Sequence, residues 1–277
     1  MVVAETWYSR EAAATLSVPD SMNPTMSLRK VGENVRRCRR YFLDIKNRII
    51  SDYLCQPILG TYNRYDPNDQ WDKLNLRVHI REPRPQTPAR FSELIIDNQT
   101  GYFRLSRQYE EGTIDLVIDA SGSSEILLNG SSNIPDDIVE KYRLSRESNF
   151  GYQNFYRTIQ GLPSTLNQDV VESFGSMRPE LFDGMDVHVI PIKLREPLIT
   201  REWELLVSEK AGKMVALRFI HPPEDEAGNE IILFEGEYES GGLTIPRFRH
   251  WYLEESREYL GSDILLTELP REDRSNL

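Results

Sequence analysis

Glu235, Arg249 and His250 place a carboxylate, a guanidinium and an imidazole close together in the chain, the side-chain types that move protons and orient carboxylates or carbonyls. They are the catalytic candidates. Pairing of Glu235 with an arginine on a neighbouring strand accounts for the same residues structurally. Trp203, Phe219, Phe234, Phe248, Trp251 and Tyr252 fall on successive apolar segments of the second half, and with Arg157 they are the candidate ligand-binding residues. Alternation along strands sends about half of such aromatics to one face. They are ordinary core unless that face holds a cavity.

Familiar catalytic patterns are missing: no G-x-S-x-G, no H-E-x-x-H, no Walker glycine loop and no G-x-G-x-x-G before a helix. Ser27-Leu28-Arg29-Lys30 matches S-x-x-K, but so short a pattern arises by chance and coincides here with a helix start. The four histidines, His79, His188, His221 and His250, could meet across strands around zinc or iron, yet no two share a ligand spacing. Asp225 and Glu226, with Glu224 nearby, could ligate calcium; a polar hairpin loop explains them more simply. No metal and no cofactor is expected.

The elements that must position these residues are constrained by composition. At 277 residues, with 39% hydrophobic and 28% charged side chains, the chain supports one large β domain or two ordinary ones. A net charge of -11 argues against a nucleic-acid partner. No run is long and apolar enough to cross a bilayer, and the first thirty residues lack the apolar core of a secretory signal, so as written the chain reads as cytoplasmic. Cys38 and Cys55 form neither a disulfide framework nor a metal-ligand spacing.

Residues 1–27 read as a mobile arm. Leu28, Val31, Val35, Cys38, Phe42, Ile45 and Ile49 then alternate steps of three and four, predicting a basic amphipathic helix within 28–56, capped by Ser27 and ended by Gln56-Pro57. Between Leu28 and Ile49 eight basic side chains face two acidic ones, a local +6 that leaves -17 on the rest. The apolar seam either docks on the protein's own β domain, as amphipathic helices usually do, or residues 28–54 meet a membrane surface, a partner groove or phosphate.

From Trp71 the apolar period becomes two. Runs over 74–81, 91–97, 101–108, 113–120 and 125–128 form one meander, and runs over 185–194, 201–207, 213–221, 230–238, 243–252 and 259–269 form a second. Helical spacing interrupts them between Pro135 and Ser176 and ends near Gly161-Leu162-Pro163. The expected fold is mainly β with helical plugs: one large curved antiparallel sheet of about eleven strands, open or half-barrel. It occupies residues 57–269 and leaves 270–277 as a polar tail.

Tyr65-Asp66-Pro67-x-x-x-Trp71, Tyr156-Arg157-x-x-x-Gly161-Leu162-Pro163, and Gly242-Leu243-Thr244-Ile245-Pro246-Arg247-x-Arg249-x-Trp251-Tyr252 followed by Tyr259-Leu260-Gly261-Ser262-Asp263 resemble an uncharacterised bacterial family. That family is itself similar to the LolA/LolB-like lipoprotein-localisation half-barrels. The resemblance spans roughly Tyr62 to Leu269. It implies an open antiparallel sheet whose concave face shelters acyl chains or another hydrophobic ligand beneath helical lids. Members usually look exported, whereas residues 1–60 here carry the basic helix instead.

Two functions follow as expectations. One is binding of a hydrophobic small molecule or lipid on the concave face. The alternative is a biosynthetic enzyme, a cyclase or isomerase, using the same apolar pocket with few catalytic groups.

Overall fold

The computed structural model describes residues 56–223, 225 and 228–266. The expected arm, almost all of the basic helix and the polar tail lie outside the described residues. Helix α1 (Gln56–Tyr65) opens the described chain, so Gln56-Pro57 lies within a helix, where the sequence pattern predicts helical geometry to end.

A single 3-10 turn, Trp71–Lys73, leads into β1 (Asn75–Arg84), β2 (Thr87–Asp97), β3 (Phe103–Tyr109), β4 (Gly112–Ile118) and β5 (Ser124–Leu128). Helices α2 (Asp136–Tyr142) and α3 (Arg146–Gln160) follow. The second half contains β6 (Val171–Phe174), β7 (Arg178–Phe182), β8 (Met185–Leu198), β9 (Thr200–Ser208), β10 (Met214–Ile220), β11 (Glu230–Ser240), β12 (Leu243–Leu253) and β13 (Tyr259–Leu266).

All thirteen strands among the described residues belong to one antiparallel sheet, in the order β5-β4-β3-β2-β1-β13-β12-β11-β10-β9-β8-β6, with β7 also paired to β8. The two meanders join where β1 meets β13, Ile80 lying opposite Leu265. The expected mainly β fold, one open antiparallel sheet with helical plugs, is the one observed. It has two strands more than expected, β6 and β7.

Helix α3 touches β4 and β5 near one end of this order and β8 near the other. Ten strand spacings of about 4.8 Å would separate β5 from β8 by some 48 Å if the sheet were flat, but fifteen helical residues span about 22 Å. The sheet therefore curls around α3. Alternation along each strand puts Leu76, Val78, Ile80, Leu94, Phe103, Leu217, Ile232 and Leu265 on the concave side in one continuous core. A smaller cluster, Phe182, Val187, Val189, Leu206, Ala216 and Ile231, covers the convex side of β7 to β11.

Candidate functional site

On the concave side α1 and the turn after α3 close over β6, β8 and β9. Pro163, Leu166, Phe174, Ile190, Ile192, Leu205 and Val207 line a cleft there, bordered by Thr61 and Tyr62 of α1. Phe174, at its rim on the edge strand β6, is 47% exposed, unusually open for so large an apolar side chain. The free space within this partly open cleft is about 10 Å³, near the room one water takes.

The first two resemblance motifs meet beside this cleft. Asp66 accepts hydrogen bonds from the backbone N–H of Gln70 (2.6 Å) and Trp71 (3.1 Å) and from the hydroxyl of Ser164 (3.0 Å), tying the end of α1 to the turn after α3. Trp71 packs on Gly161, and Tyr65 accepts from the N–H of Met214 at 3.2 Å. Burial pushes the Tyr62 hydroxyl far above its ordinary value, with Asp66 and Asp69 adding to it; the group stays neutral and donates to the carbonyl of Leu166 at 3.1 Å.

A buried polar stripe runs along α3. Ser145 and Ser148 cap the helix start by bonding each other's backbone N–H. Asn149 then donates to the carbonyls of Val117 and Glu125 and to Ser124, and Gln153 donates to the carbonyl of Gly101. Tyr156 meets Arg107 at 2.6 Å and Glu82 at 3.4 Å, and Gln160 accepts from Arg249 at 2.8 Å. Steps of four, three and four put all four on one helical face. Sequence reasoning passed over this spacing in favour of the apolar one.

The stripe ends in an ionic cluster. Glu82 is fully buried and meets Arg107 at 3.0 Å and Arg84 and Arg90 at 3.7 Å, and it accepts from the hydroxyl of Ser92. Burial alone would raise its carboxyl, but the guanidiniums of Arg107, Arg90 and Arg84, helped by Ser92, hold it at about 2. Arg84 also bonds Asp263 at 3.1 Å, which Trp251 approaches through its indole N–H at 3.4 Å. Gly261 leaves room for this arginine: a Cβ there would lie 2.4 Å from Cδ of Arg84, and its φ of +152° suits glycine.

The sequence candidates divide between the two sides. Trp203, Phe219, Phe234 and Trp251 lie on the concave side, where Trp203 meets Phe219 edge-on at 5.2 Å and Phe219 stacks on Trp251 at 5.6 Å. Trp251 also faces Phe155 of α3 at 6.0 Å, so these rings are packed beneath the helix. Arg249 is concave as well. Phe248 and Tyr252 alternate to the convex side, where Phe248 stacks on His250 and Tyr252 tilts against Tyr259. Arg157 stands half-buried at the surface of α3; burial lowers its guanidinium, partly countered by Asp72.

Glu235 and His250 do meet, but away from Arg249. Glu235 lies 3.8 Å from Nε2 of His250, whose Nδ1 is 2.6 Å from the Ser262 hydroxyl, itself 2.6 Å from the Tyr259 hydroxyl. An acid, an imidazole and a hydroxyl in sequence suggest nucleophile activation. Ser262 is only 2% exposed and its hydroxyl is engaged by both neighbours, so the chain of contacts serves as a cross-strand tie. Among the described residues no group of three or more potential ligands could hold a metal ion, and no helix is long and apolar enough to cross a membrane.

No family model matches the chain, and no curated protein matches it. Solved structures similar to it include a domain described as an outer membrane lipoprotein-sorting protein from Vibrio parahaemolyticus, at 10% identity and a TM-score of 0.44, covering 80% of this chain and 96% of that one. A LolA superfamily protein from Nitrosomonas europaea is similar at 14% identity and a TM-score of 0.40, with coverage of 80% and 97%. A DUF1329 family protein from Desulfovibrio piger follows at 13% and 0.38, with coverage of 76% and 92%. These names echo the resemblance read from the motifs, but identities and scores this low carry no ligand or activity over to this chain.

Proposed function

We propose that this protein binds the apolar chain of a hydrophobic small molecule or lipid at the concave cleft between α1, β6, β8 and β9. The observation that carries the reading is the cleft's lining: aliphatic and aromatic side chains throughout its floor, opening at an exposed Phe174 on an edge strand. The closed state leaves room for about one water. Binding is thus coupled to movement of α1 or of the Leu162–Leu166 turn, and the ligand replaces side-chain contacts with its own.

Displacement of a fluorescent acyl-chain probe from the full chain tests this. Saturable binding weakened at least about tenfold by Phe174→Asp is expected, because the carboxylate is desolvated on contact with the chain. A full-length protein that takes up no probe overturns the reading. Phe174 is surface-exposed, so the variant should fold, and circular dichroism checks that it does.

A further inference from the structure

We infer that Arg249 is an oxyanion site, built to take a carboxylate or phosphate on the concave side of the sheet. The inference deepens the proposed apolar-chain binding where the anion is that ligand's head group, but its geometry stands apart from the cleft.

Arg249 is fully buried, with 0% of its surface exposed. Its Nη2 donates to Oε1 of Gln160, while Nε and Nη1 are buried without a hydrogen-bond partner among the described residues. Unpaired donors in a buried guanidinium are costly, because water has been removed and nothing has replaced it. Nε–H and Nη1–H lie on different edges of the planar guanidinium, each edge completed by one N–H of Nη2. With one Nη2 hydrogen given to Gln160, the other edge keeps two parallel N–H directions that match the paired oxygens of a carboxylate or phosphate.

The neighbouring carboxylates are already engaged. Glu82 is shared by Arg84, Arg90 and Arg107, and Asp263 is bonded by Arg84. Four arginines thus surround two carboxylates, leaving two positive charges in excess, with Arg249 lacking an acidic hydrogen-bond acceptor. Burial lowers its guanidinium to about 10, against the opposing pull of Asp263 and Tyr156, so it remains a cation at neutral pH. Half-buried Phe234 and Trp251 lie beside it on the same side, so an apolar surface adjoins the charge. Gln160 couples the site to α3: an anion that takes up the free donors also settles the helix end above it.

The test is titration calorimetry and thermal unfolding of the full chain in chloride buffer with inorganic phosphate, dodecanoate or dodecanol, for wild type, Arg249→Met and Arg249→Lys. Wild type should bind dodecanoate at least about tenfold more tightly than dodecanol, or bind phosphate with a rise in Tm. Arg249→Met should abolish the anion response without lowering the ligand-free Tm, since it removes an under-satisfied charge. Arg249→Lys should keep part of the response and confirms a folded site. A response to phosphate alone identifies a free anion, and a response to dodecanoate without phosphate identifies a head group. Equal binding of dodecanoate and dodecanol, with no effect of phosphate, overturns the anion site while leaving apolar-chain binding intact. An anion response that survives in Arg249→Met overturns it too. Phosphate binding with neither dodecyl ligand bound supports the anion site and counts against the apolar reading.

Discussion

Trp71 and Gly161 compete for the same space: a Cβ on Gly161 would sit 2.4 Å from the Trp71 indole and 2.5 Å from the Thr165 methyl. The φ of Gly161 is -92°, open to any L residue, so the position requires room and not backbone freedom. Gly161→Ala should therefore destabilise the fold by about 1–3 kcal/mol through overpacking. Urea unfolding followed by tryptophan fluorescence measures the loss, and an unchanged midpoint would contradict the packing.

Glu82 should make stability pH-dependent at the acid end. Its carboxyl falls from an ordinary 4.5 to about 2 in the folded protein, so its contribution is complete above pH 4.5 and is lost as pH drops towards 2. The size is on the order of 3 kcal/mol. Glu82→Gln should cost a similar amount or more at neutral pH, because three arginines lose their buried partner. The gap between the two proteins should narrow below pH 4.5; a constant gap would contradict the assignment.

The opposite sign applies to Glu230, at the start of β11. Burial first, and Asp225 second, raise its carboxyl from 4.5 to about 8, and one of its oxygens has no hydrogen-bond partner among the described residues. The neutral form is the one the fold accepts. Stability should be fully present below pH 4.5 and decline as pH rises through 8, by an amount on the order of 5 kcal/mol. Glu230→Gln should match wild type near pH 4 and exceed it above pH 8. Denaturation at the two pH values decides the matter, and a variant less stable than wild type at pH 8 would contradict it.

Asn149 anchors the first turns of α3 through contacts to β4 and β5. Asn149→Leu should leave those carbonyls unpaired and cost about 1–3 kcal/mol. Amide exchange over residues 146–160 should accelerate more than over β1 and β2. Equal protection of the helix in both proteins would show that its polar stripe does not hold it to the sheet.

The strands with sustained alternation were legible in the sequence, because Leu74, Leu76, Val78 and Ile80 need only one buried face to reveal their period. Strands β6 and β7 were not: four and five residues with Pro179 among them, on a sheet edge, carry too few inward positions for a period to show. The two sides could not be ranked either. Phe248 and Tyr252 alternate with Arg249 and Trp251, so an aromatic pattern pointed inward and outward alike, and the second cluster around Phe182 gives the convex side apolar residues of its own. Arg249 inverts the usual rule that charge faces water. The Asn149-to-Gln160 stripe was present in the spacing, but polar side chains at helical period read as a solvated face until α3 is seen enclosed by the sheet.

Entry of an apolar chain into the concave cleft is tested most directly by photocrosslinking. A fatty acid carrying a diazirine on its tail is irradiated with the full chain and the labelled peptides are mapped by mass spectrometry. Labelling should concentrate on Phe174, Ile190, Ile192 and Leu205 and be competed by unlabelled fatty acid. Labelling confined to the convex residues Phe182 and Tyr252, or absent altogether, would contradict it.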